Sequence, residues 1–322
     1  MNYLFFDIEC ACVYKDVAKI CAFGYCLCDE QFNIIKKQDI LINPNGKFHL
    51  TAHGGDGIVL PYDYDEFKKH PDFPAYYQEI KTLLEDKNNL PIGHATINDV
   101  RYLNLETKRY KLPSFEFNFA DTQIIYMAMS KTFDRQTGLD KLTELFNIQF
   151  KAHCAADDAY ATMKVAEQMC KEENCAFSEL LEKYEIKFGK ISNYLFKNCS
   201  SKSGDEYYEK RAKEKEEKSV ARANFNNFVC RSRIRYETRE LHGKRFVFAR
   251  NIEEDLQLSK KLIREIWRRG GRYSLRLTGA NIYVIDGEDD SVRTVSAKKM
   301  QEEGAIQIIQ LSKLSETLGF DK

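Results

Sequence analysis

The sequence predicts an α/β protein in which two folded parts are joined by a charged helical segment. Three apolar runs open the chain, and each has the length of a single β-strand. Stretches with apolar residues at helical spacing then alternate with shorter apolar runs, which is typical of α/β domains. A second alternation begins near residue 241, after a segment rich in Lys, Arg and Glu. We therefore divide the chain into residues 1–178, 179–240 and 241–322.

The first part is predicted to open with an antiparallel meander. The runs YLFFDIE, KICAFGYCLCD and NIIKKQDILIN are separated only by short polar turns, as hairpin-connected strands are. Helices are predicted at 73–84 and 99–112, with a short buried strand at 90–95 between them. Two more helices are predicted in FADTQIIYMAMS and GLDKLTELFNI, and a last one at 155–173.

Residues 179–240 differ from both flanking parts in composition. An apolar stripe at helical spacing begins the segment and is formed by Leu180, Tyr184, Phe188, Ile191 and Leu195. The stripe predicts some helix, and the Lys-, Arg- and Glu-rich residues beyond it favour more. Two interpretations stay open, a solvated helical linker or an arm that contacts phosphates. The second rests on the aromatic residues Phe225, Phe228 and Tyr236, because bases stack on aromatic rings.

The third part is predicted to be a small α/β unit. KRFVFAR, NIYVID and AIQIIQ are its predicted strands. LQLSKKLIREIWRRGG, SAKKMQEEG and LSKLSETLG are its predicted helices. In the first of these helices, Leu258, Leu262 and Ile266 share one face, as expected for a helix that packs on a core.

Composition limits the class of protein. Hydrophobic residues make up 43% of the chain, but no run approaches the roughly 20 apolar residues that span a bilayer. The N-terminal residues MNYLFFDIEC lack the basic region and cleavage site of a signal peptide. The ten cysteines include CxC pairs in strand-like runs rather than the CxxC knuckles of structural zinc. We expect a cytoplasmic protein with no membrane association and with mostly buried thiols.

Charge is divided unevenly along the chain, although the formal net charge is zero. Residues 1–178 contain 19 Lys and Arg against 26 Asp and Glu, and the remainder contains 30 against 23. An acidic part beside a basic part fits a metal site joined to a region that binds polyanions.

Two carboxylates end the first apolar run. Asp7 and Glu9 are two residues apart on a predicted strand, so both point to the same face of the sheet. Burying two carboxylates side by side is costly unless a cation neutralises them. The pair therefore indicates a metal site, although a spacing of two is common by chance.

Further acidic residues stand where helices are predicted to begin. Asp99 and Asp158 can each be interpreted as an ordinary N-cap, and His153 as a loop histidine. Two-metal catalysis accounts for all of them together, because two Mg²⁺ or Mn²⁺ ions need several oxygen ligands. His153 would then be the general base that deprotonates the attacking water. By spacing, Asp158 is preferred to its neighbour Asp157 as the ligand.

In this order, the motifs resemble those of the DEDDh 3′→5′ exonucleases, the family of proofreading (epsilon) subunits and RNase T. The resemblance covers about residues 1–175 and is supported by AHGGDGI at 52–58. It implies a ribonuclease-H-like fold with a mixed central sheet, and release of nucleoside monophosphates from 3′ ends. It also implies a set of catalytic residues, of which all but the histidine bind metal: His153, Asp7, Glu9, Asp99 and Asp158.

The chain departs from the family motifs at positions expected to contact the terminal nucleotide. Thr or Ser usually follows the Glu9 position, where this chain has Cys10 and Ala11. The second motif keeps His94 but has Ala95 where the family has Asn. These departures leave the metal carboxylates intact. We assign Cys10, Ala11 and His94 to substrate binding.

The third part resembles a BRCT domain over about residues 241–320, which implies a binding role toward a protein partner or DNA. The resemblance rests on its strand and helix pattern and on the Gly270–Gly271 turn. Where phosphate-binding members have Ser or Thr followed by Gly, this chain has Ala249 and Arg250. Lys298 and Lys299 could still meet a phosphate, or could simply form a solvated face.

Together, these features predict a metal-dependent 3′→5′ exonuclease that acts on nucleic acid, with DNA favoured, in replication or repair. An RNA-directed exonuclease is the nearest alternative. A non-catalytic nucleic-acid-binding scaffold on the same fold is the second alternative.

Overall fold

The computed structural model describes residues 1–49, 60–151, 153–232 and 234–320. The chain forms two compact units, Met1–Tyr208 and Glu209–Lys322. The predicted boundaries at residues 178 and 240 stay predictions. The AHGGDGI stretch at 52–58, which supports the family resemblance, lies outside the described residues.

The first unit is built on a mixed β-sheet. Its strands are β1 (Asn2–Tyr14), β2 (Val17–Cys28), β3 (Ile34–Leu41), β4 (Asn89–Gly93), β5 (Phe117–Asp121), β6 (Ile186–Lys187), β7 (Gly189–Ser192), β8 (Leu195–Lys197) and β9 (Ser200–Ser201). The order is β3-β2-β1-β4-β5-β7-β8, with β6 and β9 paired separately. The β1–β2–β3 meander is antiparallel, β1–β4–β5 are parallel, and β7 pairs antiparallel to β5. The predicted meander and mixed sheet are confirmed.

Helices cover both faces of this sheet. They are α1 (Tyr64–Phe67), α2 (Phe73–Glu85), α3 (Ile97–Arg109), α4 (Thr122–Ser130), α5 (Leu139–Leu145), α6 (Ala155–Glu173) and α7 (Phe177–Lys183). Side chains of β1 alternate between two cores, so Phe6 packs with α2 and α3 while Phe5 packs with α6 and α7. Because Asp7 and Glu9 continue the alternation from Phe5, they belong to the α6 face.

The second unit contains a smaller, parallel sheet. Its strands are β10 (Arg245–Phe248), β11 (Arg272–Tyr273), β12 (Ile282–Ile285) and β13 (Gln307–Gln310), in the order β11-β10-β12-β13. Its helices are α8 (Lys202–Arg231, which begins in the first unit), α9 (Arg250–Glu254), α10 (Leu256–Arg268), α11 (Val292–Glu302) and α12 (Leu311–Thr317), with a 3₁₀ turn at Leu277–Gly279. The strands and helices predicted beyond residue 241 are all present.

The apolar stripe of residues 180–195 is helical only at its start. The chain leaves α7 through Glu185, whose φ of +47° is incompatible with a continuing helix. Asn193 and Tyr194 also have positive φ angles, +51° and +59°, and form a two-residue turn between β7 and β8. The predicted helix of the stripe is therefore confined to α7, and residues 186–197 instead form strands, of which β7 pairs with β5 and extends the sheet.

The charged segment is largely one helix, α8, but not all of its aromatic residues are exposed. Phe225 is only 1% exposed and belongs to the core of the second unit, and Phe228 packs against Trp267. Of the three aromatic residues proposed to stack on bases, only Tyr236 presents most of its surface to solvent.

All ten cysteines lie in the described residues and none forms a disulfide. Six of them are buried. Within the described ranges, every helix is too short or too polar to cross a bilayer.

Candidate active site

Three carboxylates meet on the α6 face of the large sheet. Asp7 and Glu9 come from β1, and Asp158 comes from the first turn of α6. One oxygen of each lies within 4.8 Å of an oxygen of the others. We call Asp7, Glu9 and Asp158 the acidic trio. This spacing allows all three side chains to bind one cation or to share two.

A glycine allows α6 to approach the sheet closely enough to complete the trio. Gly24 lies in the middle of β2, opposite Asp7 of β1 and Asp39 of β3. A Cβ atom at Gly24 would lie 2.0 Å from the backbone of Ala155 and Ala156. Any other residue would therefore push the start of α6 away from the sheet.

Asp39 fixes the start of α6 from the neighbouring strand, and sequence reasoning did not identify it. Its Oδ1 accepts a hydrogen bond from the Ala156 amide at 3.1 Å. Its Oδ2 accepts from the Cys154 thiol at 3.2 Å and from the Tyr62 hydroxyl. No local pattern marks Asp39. The glycine inside an apolar strand run was the available signal, since such a glycine often marks a close backbone approach.

The trio resists ionisation while no cation is bound. Burial, reinforced by Glu9 and Asp39, raises the pKa of Asp7 to about 8. Burial, reinforced mainly by Asp7, raises the pKa of Asp158 to about 8. The pKa of Glu9 rises to about 7, again through burial first and then through Asp158. A positive charge placed between the three carboxylates would therefore stabilise the ionised form of each.

A divalent metal ion fits this donor set. Among the described residues, Asp158 Oδ2 is buried and has no hydrogen-bond partner. A buried oxygen of this kind is normally satisfied, so its orphan state points to a ligand. Hard cations such as Mg²⁺ prefer carboxylate oxygens, which are the atoms that the trio offers.

Asp99 lies beside the trio rather than within it. It occupies the first turn of α3, and its Oδ1 accepts a hydrogen bond from the Ile8 amide at 3.2 Å. The N-cap of α3 is Thr96, so Asp99 does not serve as the cap. Its pKa is raised well above the usual range by burial and then by Asp7. Asp99 therefore interacts electrostatically with Asp7 but is not part of the acidic trio, and its assignment as a metal ligand stays a prediction.

The turn that precedes α3 is held by a buried carboxylate. Asp121 Oδ1 and Oδ2 accept hydrogen bonds from the amides of Ala95 and Thr96 at 3.1 and 2.9 Å. Ala95 has a φ of +55°, in the left-handed region that Asn tolerates better than Ala. The departure from the family motif at Ala95 therefore lies at a strained backbone position.

His153 stands at the rim of the site. Its Nδ1 lies 3.8 Å from Glu9 Oε1, which is too long for a hydrogen bond, and its side chain is 48% exposed. Its φ is +64°. Asp157, the residue before Asp158, pairs with Lys37 and is not part of the trio. The structure thus brings Asp158, and not Asp157, to the other carboxylates.

Cys10 and Ala11 lie at a β-bulge, where β1 shifts its register against β2. The Ala11 side chain is fully buried, and Cys10 is 9% exposed. The Ala11 carbonyl accepts a hydrogen bond from the His49 amide at 2.7 Å. Bulges beside active sites redirect neighbouring side chains. The substrate-binding assignment of both residues stays a prediction, and their burial favours a structural role.

His94 is engaged by protein groups on both sides of its ring. Nε2 donates to the Thr137 carbonyl and Nδ1 lies against the Thr122 hydroxyl, each at 3.0 Å. Burial lowers its pKa to about 4, so the ring is neutral at pH 7. These contacts favour a positioning role for His94, whose assignment to substrate binding stays a prediction.

Comparison with known proteins identifies the family of the chain. The family model described as Exonuclease (RNase_T) matches residues 4–166, which contain every carboxylate described above. The chain belongs to this exonuclease family. It is therefore an exonuclease, from a family that depends on divalent metal, and its described residues include an acidic cluster that could hold such an ion. No curated protein sequence matches the chain.

Solved nuclease structures are similar to a little more than half of the chain. The nuclease domain of 3′hExo, a DEDDh family member bound to rAMP, is 17% identical, with a TM-score of 0.45, and the match covers 53% of this chain and 92% of that one. E. coli exonuclease I in complex with a dT13 oligonucleotide is 15% identical, with a TM-score of 0.42, covering 57% and 43%. Cell-death related nuclease 4 is 15% identical, with a TM-score of 0.41, covering 53% and 64%.

Proposed function

We propose that this exonuclease removes mononucleotides from the 3′ ends of nucleic acid, with DNA as the favoured substrate. The observation that supports the proposal best is the acidic trio with its orphaned Asp158 oxygen. Two Mg²⁺ or Mn²⁺ ions are proposed to bind there, held by Asp7, Glu9 and Asp158 with Asp99 beside them.

Bound divalent ions would activate a water molecule and neutralise the leaving oxygen of the phosphodiester. The chain itself supplies the geometry and the proton transfer. The His153 side chain is exposed, so its imidazole can turn toward that water molecule and accept a proton from it. Asp99 fixes β1 through the Ile8 amide, and Asp39 fixes the start of α6. Both contacts keep the trio in register.

We also propose a substrate preference, a pathway and a location. The parallel four-stranded sheet of the second unit is compatible with a BRCT-like domain, which favours DNA, a role in replication or repair, and a protein partner. Cysteines that form no disulfide among the described residues fit the cytoplasm. An RNA substrate is the alternative. The two are separated by comparing substrates of one sequence.

The test uses the purified chain with 5′-labelled single-stranded DNA and RNA, in Mg²⁺ or Mn²⁺. We expect a ladder that shortens from the 3′ end. Asp158→Asn keeps the shape of the side chain but removes its charge, so we expect at least a 10³-fold loss of rate. Asp157→Asn is the matched control and should stay within about threefold of the wild-type rate. Wild-type turnover by Asp158→Asn would refute the proposed site.

A further inference from the structure

A second cleft, unrelated to the acidic trio, opens at one edge of the sheet in the second unit. It has a volume of about 560 Å³ and lies where β10 and β11 begin. His242 and three glycines form part of its wall. Its most prominent lining residues are four cations and two aromatics: Arg239, Lys244, Arg245, Arg272, Tyr236 and Trp267.

The backbone around this cleft is firmly held. The loop after Tyr236 is tied to the end of α10, since Glu237 and Leu241 donate backbone hydrogen bonds to the carbonyls of Arg268 and Arg269 at 2.6 and 2.8 Å. Gly270 has a φ of +80°, and a Cβ atom there would lie 2.9 Å from the Thr238 carbonyl oxygen. The lining side chains therefore project from a fixed frame.

The cations of the cleft are not neutralised by the protein. Arg245 and Arg272 are register neighbours on adjacent parallel strands, an arrangement that like charges normally disfavour. Among the described residues, no acidic side chain lines the cleft. Within the described part of the chain, Arg239, Lys244, Arg245 and Arg272 form no ion pair. An anion in the cleft would remove the repulsion.

The shape and the aromatic groups identify what kind of anion fits. Tyr236 is 56% exposed at the cleft. A neighbouring cleft of about 590 Å³ shares Trp267 and Arg272 and adds Arg235, so the basic surface continues beyond one phosphate. Nucleic acid combines a chain of phosphates with flat bases that stack on exposed rings. An acidic peptide would satisfy the cations and leave Tyr236 without a partner.

We propose that this cleft binds the sugar-phosphate backbone of single-stranded nucleic acid, with Tyr236 stacked on a base. The identity of the polymer rests on the proposed function, because the exonuclease needs a nucleic-acid substrate. The cleft would hold the strand outside the active site and increase affinity for long substrates.

The first test measures binding by fluorescence anisotropy of labelled single-stranded DNA or RNA of about 20 nucleotides, with the full chain in EDTA so that no cleavage occurs. The variant Lys244→Gln/Arg245→Gln/Arg272→Gln removes three cleft cations. Lys261→Gln/Arg276→Gln/Lys313→Gln removes three exposed cations elsewhere on the same unit. We expect the cleft variant to bind at least tenfold more weakly, with a salt slope smaller by about 2, while the control changes little.

Tyr236 tests stacking separately from charge. We expect Tyr236→Ala to weaken binding about 5-fold or more, while Tyr236→Phe keeps wild-type affinity. If the three-cation cleft variant binds as tightly as its matched control, the proposal is overturned. Equal affinity of Tyr236→Ala and wild type would overturn the stacking contact. Because all four side chains are exposed, the variants are expected to fold.

A small substrate separates this proposal from the proposed function. Thymidine 5′-p-nitrophenyl phosphate contains a single nucleotide and no polynucleotide backbone for the cleft to bind, so the cleft variant should hydrolyse it in Mg²⁺ at the wild-type rate. Asp158→Asn should not hydrolyse it. Unchanged hydrolysis by Asp158→Asn would overturn the proposed function and leave the binding result intact. A defect of the cleft variant on this ester would overturn the assignment of the cleft to long substrates.

Discussion

At the residue scale, two of the non-glycine residues with positive φ lie beside the active site. Ala95 and His153 both have positive φ angles, and each lies within a few residues of a proposed metal ligand. The strain at Ala95 is held by the hydrogen bonds to Asp121. His is among the residues that adopt this conformation more readily, whereas Ala is not. Ala95 therefore lowers the stability of the folded state, and a residue that tolerates positive φ would be more stable at this position.

Replacing Ala95 by Asn should stabilise the first unit. Asn tolerates the left-handed conformation, so we expect the free energy of unfolding to rise by about 1 kcal/mol. The melting temperature should rise by about 2–4 °C for a unit of this size. Ala95→Val is the control and should lower both values, because β-branched residues disfavour positive φ. A lower melting temperature for Ala95→Asn would contradict this interpretation.

At the element scale, the site depends on how closely α6 approaches β2. The two elements touch at Gly24, and Asp39 accepts a hydrogen bond from the Ala156 amide in the first turn of the helix. Asp158 lies in the same turn as that amide. A small displacement of the start of α6 would therefore move Asp158 relative to Asp7 and Glu9.

Gly24→Ala should impair catalysis by moving α6. The added Cβ would meet backbone rather than a flexible side chain, so the helix must shift. A misplacement of about 1 Å can cost 10²-fold in rate, and we expect a loss of that order in kcat. Gly46→Ala is the control, because its Cβ would meet only the end of the Lys19 side chain. Steady-state kinetics of both variants provide the measurement, and equal rates would contradict the role of Gly24.

The sequence predicted those elements whose pattern is local. The meander and α6 were predicted because period-two and helical spacing are strong there, and α6 begins and ends as expected, at Ala155 and Glu173. The strands β7 and β8 were missed because their apolar residues also fit helical spacing. Only the turn at Asn193 and Tyr194 separates the two interpretations.

The same distinction applies to the site. The trio could be predicted because Asp7 and Glu9 share one face of a strand and Asp158 stands at the start of a helix. Asp39 could not, since its role depends on β3 lying beside the start of α6, a contact between residues 117 positions apart. Tyr62 joins the same network for the same non-local reason.

At the scale of the whole molecule, the metal-free enzyme is destabilised by its own active site. The pKa values of Asp7 and Asp158 are about 8 in the folded chain and about 4 when unfolded. Between these values the folded state binds more protons than the unfolded state. The free energy of unfolding of the metal-free chain therefore falls as the pH rises from about 4 to 8, and levels off above.

Divalent metal should reverse this loss. At pH 8, Mg²⁺ at one hundred times its Kd should add about 2.7 kcal/mol to the free energy of unfolding. At pH 5 the gain should be smaller, because protons compete for the same oxygens. Thermal melts with and without Mg²⁺ at both pH values test this expectation. Asp158→Asn should reduce both the pH slope and the metal gain, and Asp157→Asn should keep them. A metal gain that is independent of pH would be inconsistent with the trio.

The separation of the trio along the chain affects the order in which a newly made protein becomes active. Asp7 and Glu9 are synthesised first and are paired with β2 through neighbouring residues, whereas Asp158 arrives only with α6. Domains fold as their residues emerge during synthesis. A nascent chain whose α6 has not yet emerged from the ribosome contains two carboxylates of the trio and no complete metal site. The nuclease therefore cannot cut nucleic acid near the ribosome until its own domain has closed.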